Sequence, residues 1–243
     1  MDRIILNQKA ELGKEVLIQG PPLEALRIQG SRAGGLITLT DPEGNDFRGR
    51  ILRLSETEAS VFLFEAFPSP TESRLEIVLL QALPEKERME MIIQKATELG
   101  ISAIFPFQSQ RSISLKEREA KQKKAHRWQS VAVKAVQQSR RAKVPLIGGC
   151  RSFQEVLEDC KEDGLKILLW EKEGQPLKHV VRQCPAKKIY VIVGPEGGLT
   201  EDEVKLAEEK GFVAVKLGQR ILRTETAAIS MVGILQYELG DLT

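Results

Sequence analysis

The stretch that decides the fold is Ile189–Leu239, which reads IYVIVGPEGGLTEDEVKLAEEKGFVAVKLGQRILRTETAAISMVGILQYEL. Its opening run of β-branched and aromatic residues predicts a strand buried on both faces of a parallel sheet. A glycine loop follows at 194–198, and a capping box at Thr200–Glu203 then begins a helix. A second strand, a glycine loop at 218–223 and a last helix repeat this order. The sequence therefore predicts an α/β fold with two loops at one sheet edge, where open α/β sheets bind ligands.

The first of these loops, Gly194–Gly198, has the sequence GPEGG. It matches neither the G-x-G-x-x-G pattern of dinucleotide-binding loops nor the G-x-x-x-x-G-K-[ST] pattern of P-loops, and Glu196 would repel a phosphate. Such a loop suits a neutral or cationic ligand, or ribose hydroxyls. S-adenosylmethionine, an adenosine with a sulfonium and no phosphate, meets this description. A plain tight turn explains the glycines equally well.

Both loops carry sequences that resemble a known family. GPEGGLTEDEV and LGQRILRTETA together resemble the cofactor-binding region of the RsmE family, which are 16S ribosomal RNA uridine N3-methyltransferases of the SPOUT (trefoil-knot) superfamily. QKATELG at 94–100 and Arg111-Ser112 match further family motifs. The family's Glu-Gln-Ser-x-Arg is here QQSRR at 137–141, with Gln137 in place of the acid. The resemblance covers residues 74–243 strongly and 1–70 weakly. It implies a knotted parallel-sheet methyltransferase domain over 74–243 and a homodimer.

The same resemblance implies S-adenosylmethionine as the cofactor. Glu171, at the end of another predicted strand, joins the two loops as a candidate contact. The predicted cofactor-binding residues are Glu171, Gly194, Glu196, Gly197, Leu217, Gly218, Ile221, Leu222, Thr226 and Ala227.

Arg223 is the predicted catalytic residue, because a fixed cation and planar donor stabilises the negative charge that spreads over the uracil carbonyls when N3 loses its proton. The alternative is that Arg223 only pairs with Glu225 or caps the loop. The proton acceptor stays open between Glu196, Glu225, water and the RNA.

Residues 1–70 read as mostly β. Strands are predicted at Gly35–Thr40, Phe47–Leu54 and Ala59–Phe64, with a turn at Asp41–Asn45. Short strands with turn signals predict a small barrel, and the resemblance implies a PUA-like RNA-binding barrel. The prolines of Phe67–Thr71 favour an extended linker, so the predicted domains are 1–70 and 74–243.

The chain's excess positive charge is concentrated in one segment. Residues 108–151 hold twelve basic and two acidic side chains, whereas the whole chain has a net charge of +2. Such a block is typical of a nucleic-acid footprint, or is a solvated face of the helix predicted over Glu117–Arg140. The predicted RNA contacts are Arg27, Arg32, Arg111, Lys124, Arg127 and Arg140.

Other features exclude whole classes of protein. No apolar run approaches the roughly 20 residues of a membrane span, and the N-terminus is charged where a signal peptide is apolar. Three cysteines without C-x-x-C spacing favour a reducing cytosol, and two histidines give no metal cluster. The last helix is apolar almost all round, and Met231 and Leu235 can share one buried face of a homodimer.

Elements predicted between these regions are strands at Arg74–Ala82, Ile101–Pro106 and Leu165–Trp170, and helices at Glu85–Leu99 and Cys150–Gly164. Two other functions stay open. One is a different SPOUT enzyme, such as a ribose 2′-O-methyltransferase acting on ribosomal or transfer RNA. The other is a non-catalytic RNA- or nucleotide-binding module.

Overall fold

A computed structural model describes residues 3–28, 30–67, 72–112, 128–141, 143–161, 163–183 and 186–242. They form two compact units. The first comprises Met1–Glu72 with Val136–Lys143, and the second comprises Ser73–Ala135 with Val144–Thr243. The first unit thus includes a short segment, 136–143, that the sequence groups with the C-terminal part of the chain.

The first unit contains a five-stranded sheet and one helix. Its strands run in the order β1-β3-β4-β5-β2, and every pairing is antiparallel except that of β1 with β3. The three predicted strands are confirmed within one or two residues, while β1, β2 and the helix are additional. The bounds are β1 Arg3–Ile5, β2 Glu15–Ile18, α1 Pro21–Ile28, β3 Leu36–Thr40, β4 Asp46–Leu54 and β5 Ala59–Ala66.

The sheet of the first unit buries one face, and two local features shape it. A Cβ at Gly49 would lie 2.5 Å from Val61 Cγ1, so glycine lets β4 lie close to β5 next to a register shift. The predicted turn after β3 is confirmed, because the Asp41 carboxylate accepts hydrogen bonds from the backbone of Glu43 and Asn45. The alternation of buried and exposed residues then closes a single core on one face.

The second unit is built on a parallel sheet, as predicted. The strand order is β11-β13-β10-β12-β6-β7-β8, with β9 also beside β7, and every pairing is parallel. The bounds are β6 Glu76–Ala82, β7 Ala103–Gln108, β8 Leu146–Ile147, β9 Arg151–Ser152, β10 Leu165–Leu169, β11 Gln175–Pro176, β12 Lys188–Val193 and β13 Val213–Lys216.

Helices cover both faces of this sheet, which explains why its central strands are continuously apolar. The helix bounds within the described residues are α2 Lys86–Glu98, α3 Trp128–Ser139, α4 Phe153–Glu158, α5 Leu177–Gln183, α6 Glu201–Glu209 and α7 Thr224–Leu239. Ile77 and Leu79 of β6 point into one core with helices α2, α5 and α7, while Val78 and Leu80 point into another with α4 and α6.

Two predicted elements differ from the structure. The helix predicted at Cys150–Gly164 is only Phe153–Glu158, because Arg151–Ser152 pairs with β7 as a strand and Ser152 then forms a capping box with Glu155. The strand predicted at 101–106 lies two residues later. Of the helix predicted over 117–140, residues 117–127 lie outside the described part of the chain, and α3 covers Trp128–Ser139 of the remainder.

Helix α7 shows that one predicted contact was misassigned. Met231 and Leu235 are fully buried inside their own unit, where they join the core around α2 and β6. They therefore do not form a free face for a second copy. The large apolar side chains that α7 leaves accessible are Ile234, 37% exposed, and Tyr237, 65% exposed. Apolar periodicity alone cannot tell whether one chain or two bury a helix.

Cys160 is buried, and burial raises the pKa of its thiol to about 11. Cys150 is half-buried. In the described ranges no group of His, Cys, Asp and Glu side chains is arranged to hold a metal ion. No described helix has both the length and the apolar character needed to cross a membrane.

Candidate active site

A cleft of about 300 Å³ opens at the carboxyl ends of β10, β12 and β13 in the second unit. The chain leaves β10 for β11 at the edge of the sheet, continues to β12 on the other side of β10, and then crosses back over β10 to reach β13. This reversal is the kind of switch point at which open α/β sheets bind ligands. The cleft is lined by Arg88, Leu169–Glu171, Val193–Glu196, Gly198, Leu199, Val215–Thr224 and Ala227.

The loop after β12 forms one wall of the cleft. The Gly198 N–H donates to the Pro195 carbonyl, and Gly198 has φ +69°, a left-handed conformation that glycine adopts without strain. A Cβ at Gly198 would lie 2.9 Å from Glu171 Oε1. The glycine therefore allows the Glu171 carboxylate to lie against the loop. The predicted capping box is confirmed, since the Thr200 hydroxyl accepts from the Glu203 N–H and the Glu203 carboxylate from the Thr200 N–H.

The loop after β13, residues 217–223, forms the opposite wall. Leu217 and Leu222 are half-buried along the cleft. Ile221 borders it too, and this residue is 85% exposed. This loop ends where α7 begins, and there the Arg223 carbonyl accepts a hydrogen bond from the Ala227 N–H at 2.8 Å.

A buried hydrogen-bond chain ties the two loops together. The Thr224 hydroxyl donates to the Gly194 carbonyl at 2.6 Å and accepts from Gln81 Nε2 at 3.0 Å. Gln81 is fully buried at the end of β6, and its Nε2 also donates to the Ala82 carbonyl. The side chains of Gln81 and Thr224 thus fix the start of the first loop to the first residue of α7.

Charged side chains form a second connection at the mouth of the cleft. Arg88 Nη1 lies 2.9 Å from Glu196 Oε1, and Arg88 Nε lies 3.9 Å from Glu225 Oε2. Glu196 Oε1 also accepts from the Glu85 N–H at 3.2 Å. Glu196, predicted as a cofactor contact, therefore borders the cleft while its carboxylate turns towards the start of α2.

Arg223 lies at the cleft with an exposed side chain. It occupies the N-cap position of α7 without a side-chain capping bond. Among the described residues no carboxylate lies within ion-pair distance of it, and Glu225 approaches Arg88 instead. Within the described residues, the Arg223 side chain therefore neither pairs with Glu225 nor caps α7. Its guanidinium is available to a ligand in the cleft.

The predicted RNA contacts occupy different places. Arg111 Nη1 donates to the Gly197 carbonyl at 2.9 Å, so its side chain supports the first loop. Arg27 is exposed and approaches the Ser55 carbonyl at 3.5 Å, and Arg32 and Arg140 are exposed on the first unit. Lys124 and Arg127 lie outside the described residues.

Most of the predicted cofactor residues meet at this cleft: Glu171, Gly194, Glu196, Leu217, Gly218, Ile221, Leu222 and Ala227 all line it. Gly197 and Thr226 are not part of the lining. Gly197 faces Arg111, which a Cβ there would approach at 3.2 Å.

Four residues of the site were not predicted from the sequence: Arg88, Trp170 and Thr224 at the cleft, and Gln81 below it. Trp170 directly precedes Glu171 at the end of a predicted strand, and Gln81 is a polar residue at the end of another. Both positions, at the end of a predicted strand, could have marked these residues as candidates for the site. The position of Arg88 gave no such indication, because it lies in the first turn of a helix far away in sequence.

Known proteins resemble this chain in sequence over most of its length. A family model described as an RNA methyltransferase domain matches residues 71–236. The ribosomal RNA small subunit methyltransferase E of Bacillus subtilis (strain 168) is 33% identical over 212 residues, which cover 84% of this chain and 82% of that protein.

Two solved structures resemble the whole chain. The ribosomal RNA small subunit methyltransferase E of Neisseria gonorrhoeae, bound to S-adenosyl methionine, is 33% identical with a TM-score of 0.79, and the alignment covers 100% of both chains. A putative methyltransferase from Legionella pneumophila, in complex with the bound cofactor SAM, is 30% identical with a TM-score of 0.74 and 99% of each chain covered.

Proposed function

This chain belongs to the RNA methyltransferase family that contains the ribosomal RNA small subunit methyltransferase E proteins, and from this premise we propose that it transfers a methyl group from S-adenosylmethionine to 16S ribosomal RNA, at N3 of a uridine. One observation carries the proposal. The two loops that hold the family motifs converge with the end of β10 on a single cleft, in a chain that aligns along its full length with a relative bound to that cofactor.

The residues of the cleft fit an adenosine cofactor without phosphates. Glycines leave space for a ligand against the backbone, and the carboxylate of Glu171 favours hydroxyls or positive charge over phosphate. Trp170 Nε1 is buried with no hydrogen-bond partner among the described residues, and such a donor favours an additional acceptor. When bound, S-adenosylmethionine supplies a methyl group on a positively charged sulfur. The residues that would hold it are Glu171, Gly194, Leu217, Gly218, Leu222 and Ala227.

Arg223 is the group best suited to assist the reaction. Uridine N3 carries a proton, and its loss spreads negative charge onto the flanking carbonyl oxygens. A guanidinium held at that charge stabilises the transition state more than the ground state. The accessible, unpaired side chain of Arg223 at the cleft supports this role. Arg223 donates hydrogen bonds in this scheme and takes up no proton, so the proton leaves to another acceptor.

Finer parts of the proposal follow from the same family. We assign residues 1–70 to a PUA-like RNA-binding barrel and 74–243 to a SPOUT-type domain in which α7 threads a trefoil knot. A homodimer acting in the cytoplasm completes the assignment. Supporting observations are the mainly antiparallel sheet of the first unit and the deep burial of α7 in the second. The accessible Ile234 and Tyr237 supply an apolar surface for a second copy.

The test has two arms that separate the candidate functions. Calorimetry with S-adenosylmethionine measures cofactor binding by the purified protein. The second arm incubates it with small ribosomal subunits, and with their naked RNA, from a strain lacking the gene, followed by nucleoside mass analysis. We expect 3-methyluridine. A 2′-O-methylated nucleoside would indicate the alternative SPOUT chemistry, and RNA binding without any methylated product would indicate a non-catalytic module.

A further inference from the structure

Arg88 borders the cleft but has no place in the chemistry described so far. It is the third residue of α2, and its guanidinium lies between Glu196 of the first loop and Glu225 of α7. We propose that Arg88 is a positioning residue for methyl transfer, which holds the first loop and the start of α7 at a fixed separation through these two carboxylates. The inference rests on the proposed function.

Glu196 is the first attachment point. Its Oε1 accepts both from Arg88 Nη1 at 2.9 Å and from the Glu85 N–H at 3.2 Å, directly before α2 begins. A carboxylate is stabilised when it accepts a hydrogen bond from a backbone N–H at the start of a helix. The loop after β12 is therefore fastened to α2 by a charged contact and by a backbone contact.

Glu225 is the second attachment point. Its side chain is only 12% exposed, and Oε2 is buried without a hydrogen bond to any described residue. A carboxylate so far removed from water needs a nearby cation, and Arg88 Nε lies 3.9 Å away. Without Arg88, two carboxylates would remain around the vacated position, and their repulsion would push the loop and α7 apart.

The shape of arginine matters for this role. A planar guanidinium presents donors in several directions, whereas a lysine ammonium is a single charge on a flexible stem. The helix that carries Arg88 is anchored, because its residues Met89 and Ile92 are fully buried in the core. Since the cleft lies between the two fastened segments, a small change in their separation alters how cofactor and RNA are oriented.

The experiment compares Arg88→Ala, Arg88→Lys, Glu225→Gln and the double variant Arg88→Ala/Glu225→Gln with the wild-type protein. Lys95→Ala is the matched control, because Lys95 lies on the same helix and pairs with Glu98. Calorimetry gives the dissociation constant of S-adenosylmethionine, single-turnover assays give the methylation rate on small subunits, and thermal unfolding gives Tm.

We expect Arg88→Ala to weaken cofactor binding about tenfold, in keeping with the loss of a charge-assisted contact, and to slow single-turnover methylation at saturating cofactor. Arg88→Lys should recover only part of the loss. Glu225→Gln should restore part of the lost binding and rate in the Arg88→Ala background, because it removes one of the two repelling carboxylates, so the two substitutions should be non-additive. Lys95→Ala should leave binding and rate unchanged.

Three results would overturn the role of Arg88. The first is a dissociation constant and a methylation rate within twofold of wild type for Arg88→Ala. If the Tm of that variant also falls, Arg88 is only a structural contact. Full recovery by Arg88→Lys would show that a point charge suffices. Additive effects of Arg88→Ala and Glu225→Gln would remove the link between them. A wild-type protein that neither binds the cofactor nor methylates RNA would instead refute the proposed function.

Discussion

Replacing Thr224 with valine tests the buried hydrogen-bond chain beneath the cleft. Valine keeps the shape of threonine but removes the hydroxyl that donates to the Gly194 carbonyl and accepts from Gln81 Nε2. One N–H of Gln81 and one carbonyl would then lose a partner in a site where Thr224 is 5% exposed and Gln81 is fully buried. Leaving a buried polar group unsatisfied costs about 1–3 kcal/mol, so two such groups predict a loss of about 2–6 kcal/mol.

Thr224→Ser is the matched control, because serine keeps the hydroxyl and loses one methyl group. Its expected cost is about 1 kcal/mol. With about 2–4 °C of Tm per kcal/mol for a unit of this size, we expect thermal unfolding of Thr224→Val to begin well below that of Thr224→Ser. Calorimetry should also show about tenfold weaker cofactor binding for the valine variant, because Gly194 lines the cleft. Equal Tm and equal affinity in the two variants would refute this reasoning.

The remaining predictions concern chemistry, RNA, assembly and thiol reactivity. Arg223→Ala should slow single-turnover methylation by about 100-fold or more, as for loss of an oxyanion donor, with cofactor affinity within a few-fold; near-normal rates would exclude Arg223 from catalysis. Removing Lys124 and Arg127 together should flatten the salt dependence of RNA binding by about 0.7–0.9 per lost contact, and an unchanged slope would make the segment a solvated face. Tyr237→Glu should convert the proposed homodimer to a monomer in light scattering, whereas a persistent dimer would place the interface elsewhere. Because burial raises the pKa of Cys160 to about 11, its thiol stays protonated at pH 8 and iodoacetamide should modify it far more slowly than Cys150; equal rates, followed by mass spectrometry, would contradict its burial.

The place of the site was predictable because it follows from strand order and loop composition. In a parallel sheet the carboxyl ends of strands share one edge, so the loops beginning at Gly194 and Gly218 had to open on the same side. The residue after β10, Glu171, followed by the same argument. Local signals of this kind also fixed the start of α6, where Thr200 and Glu203 cap each other as their spacing requires.

What escaped prediction depends on contacts between distant parts of the chain. Arg88 meets Glu196 across 108 positions, and Gln81 meets Thr224 across 143. No periodicity or spacing encodes such a meeting. The same limit explains Met231 and Leu235, whose apolar pattern is satisfied within their own unit. It also explains the hydrogen bond from Arg111 to the Gly197 carbonyl, a contact between residues 86 positions apart that no local signal predicts.

Two arginines at the cleft, Arg88 and Arg223, have opposite surroundings, and this difference indicates which of them positions the loops and which assists the reaction. Arg88 is engaged by two carboxylates, so its charge is already neutralised locally and its loss would leave those carboxylates unpaired. Arg223 is exposed and unpaired within the described residues, so water solvates it in the free protein and its removal leaves no buried charge behind. Substitution of Arg223 should therefore lower the rate at almost constant Tm, whereas substitution of Arg88 should weaken cofactor binding and slow methylation together. A free cation costs the fold little and is available for the charge that develops on the RNA base, which is why we assign the chemistry to Arg223 and the positioning to Arg88.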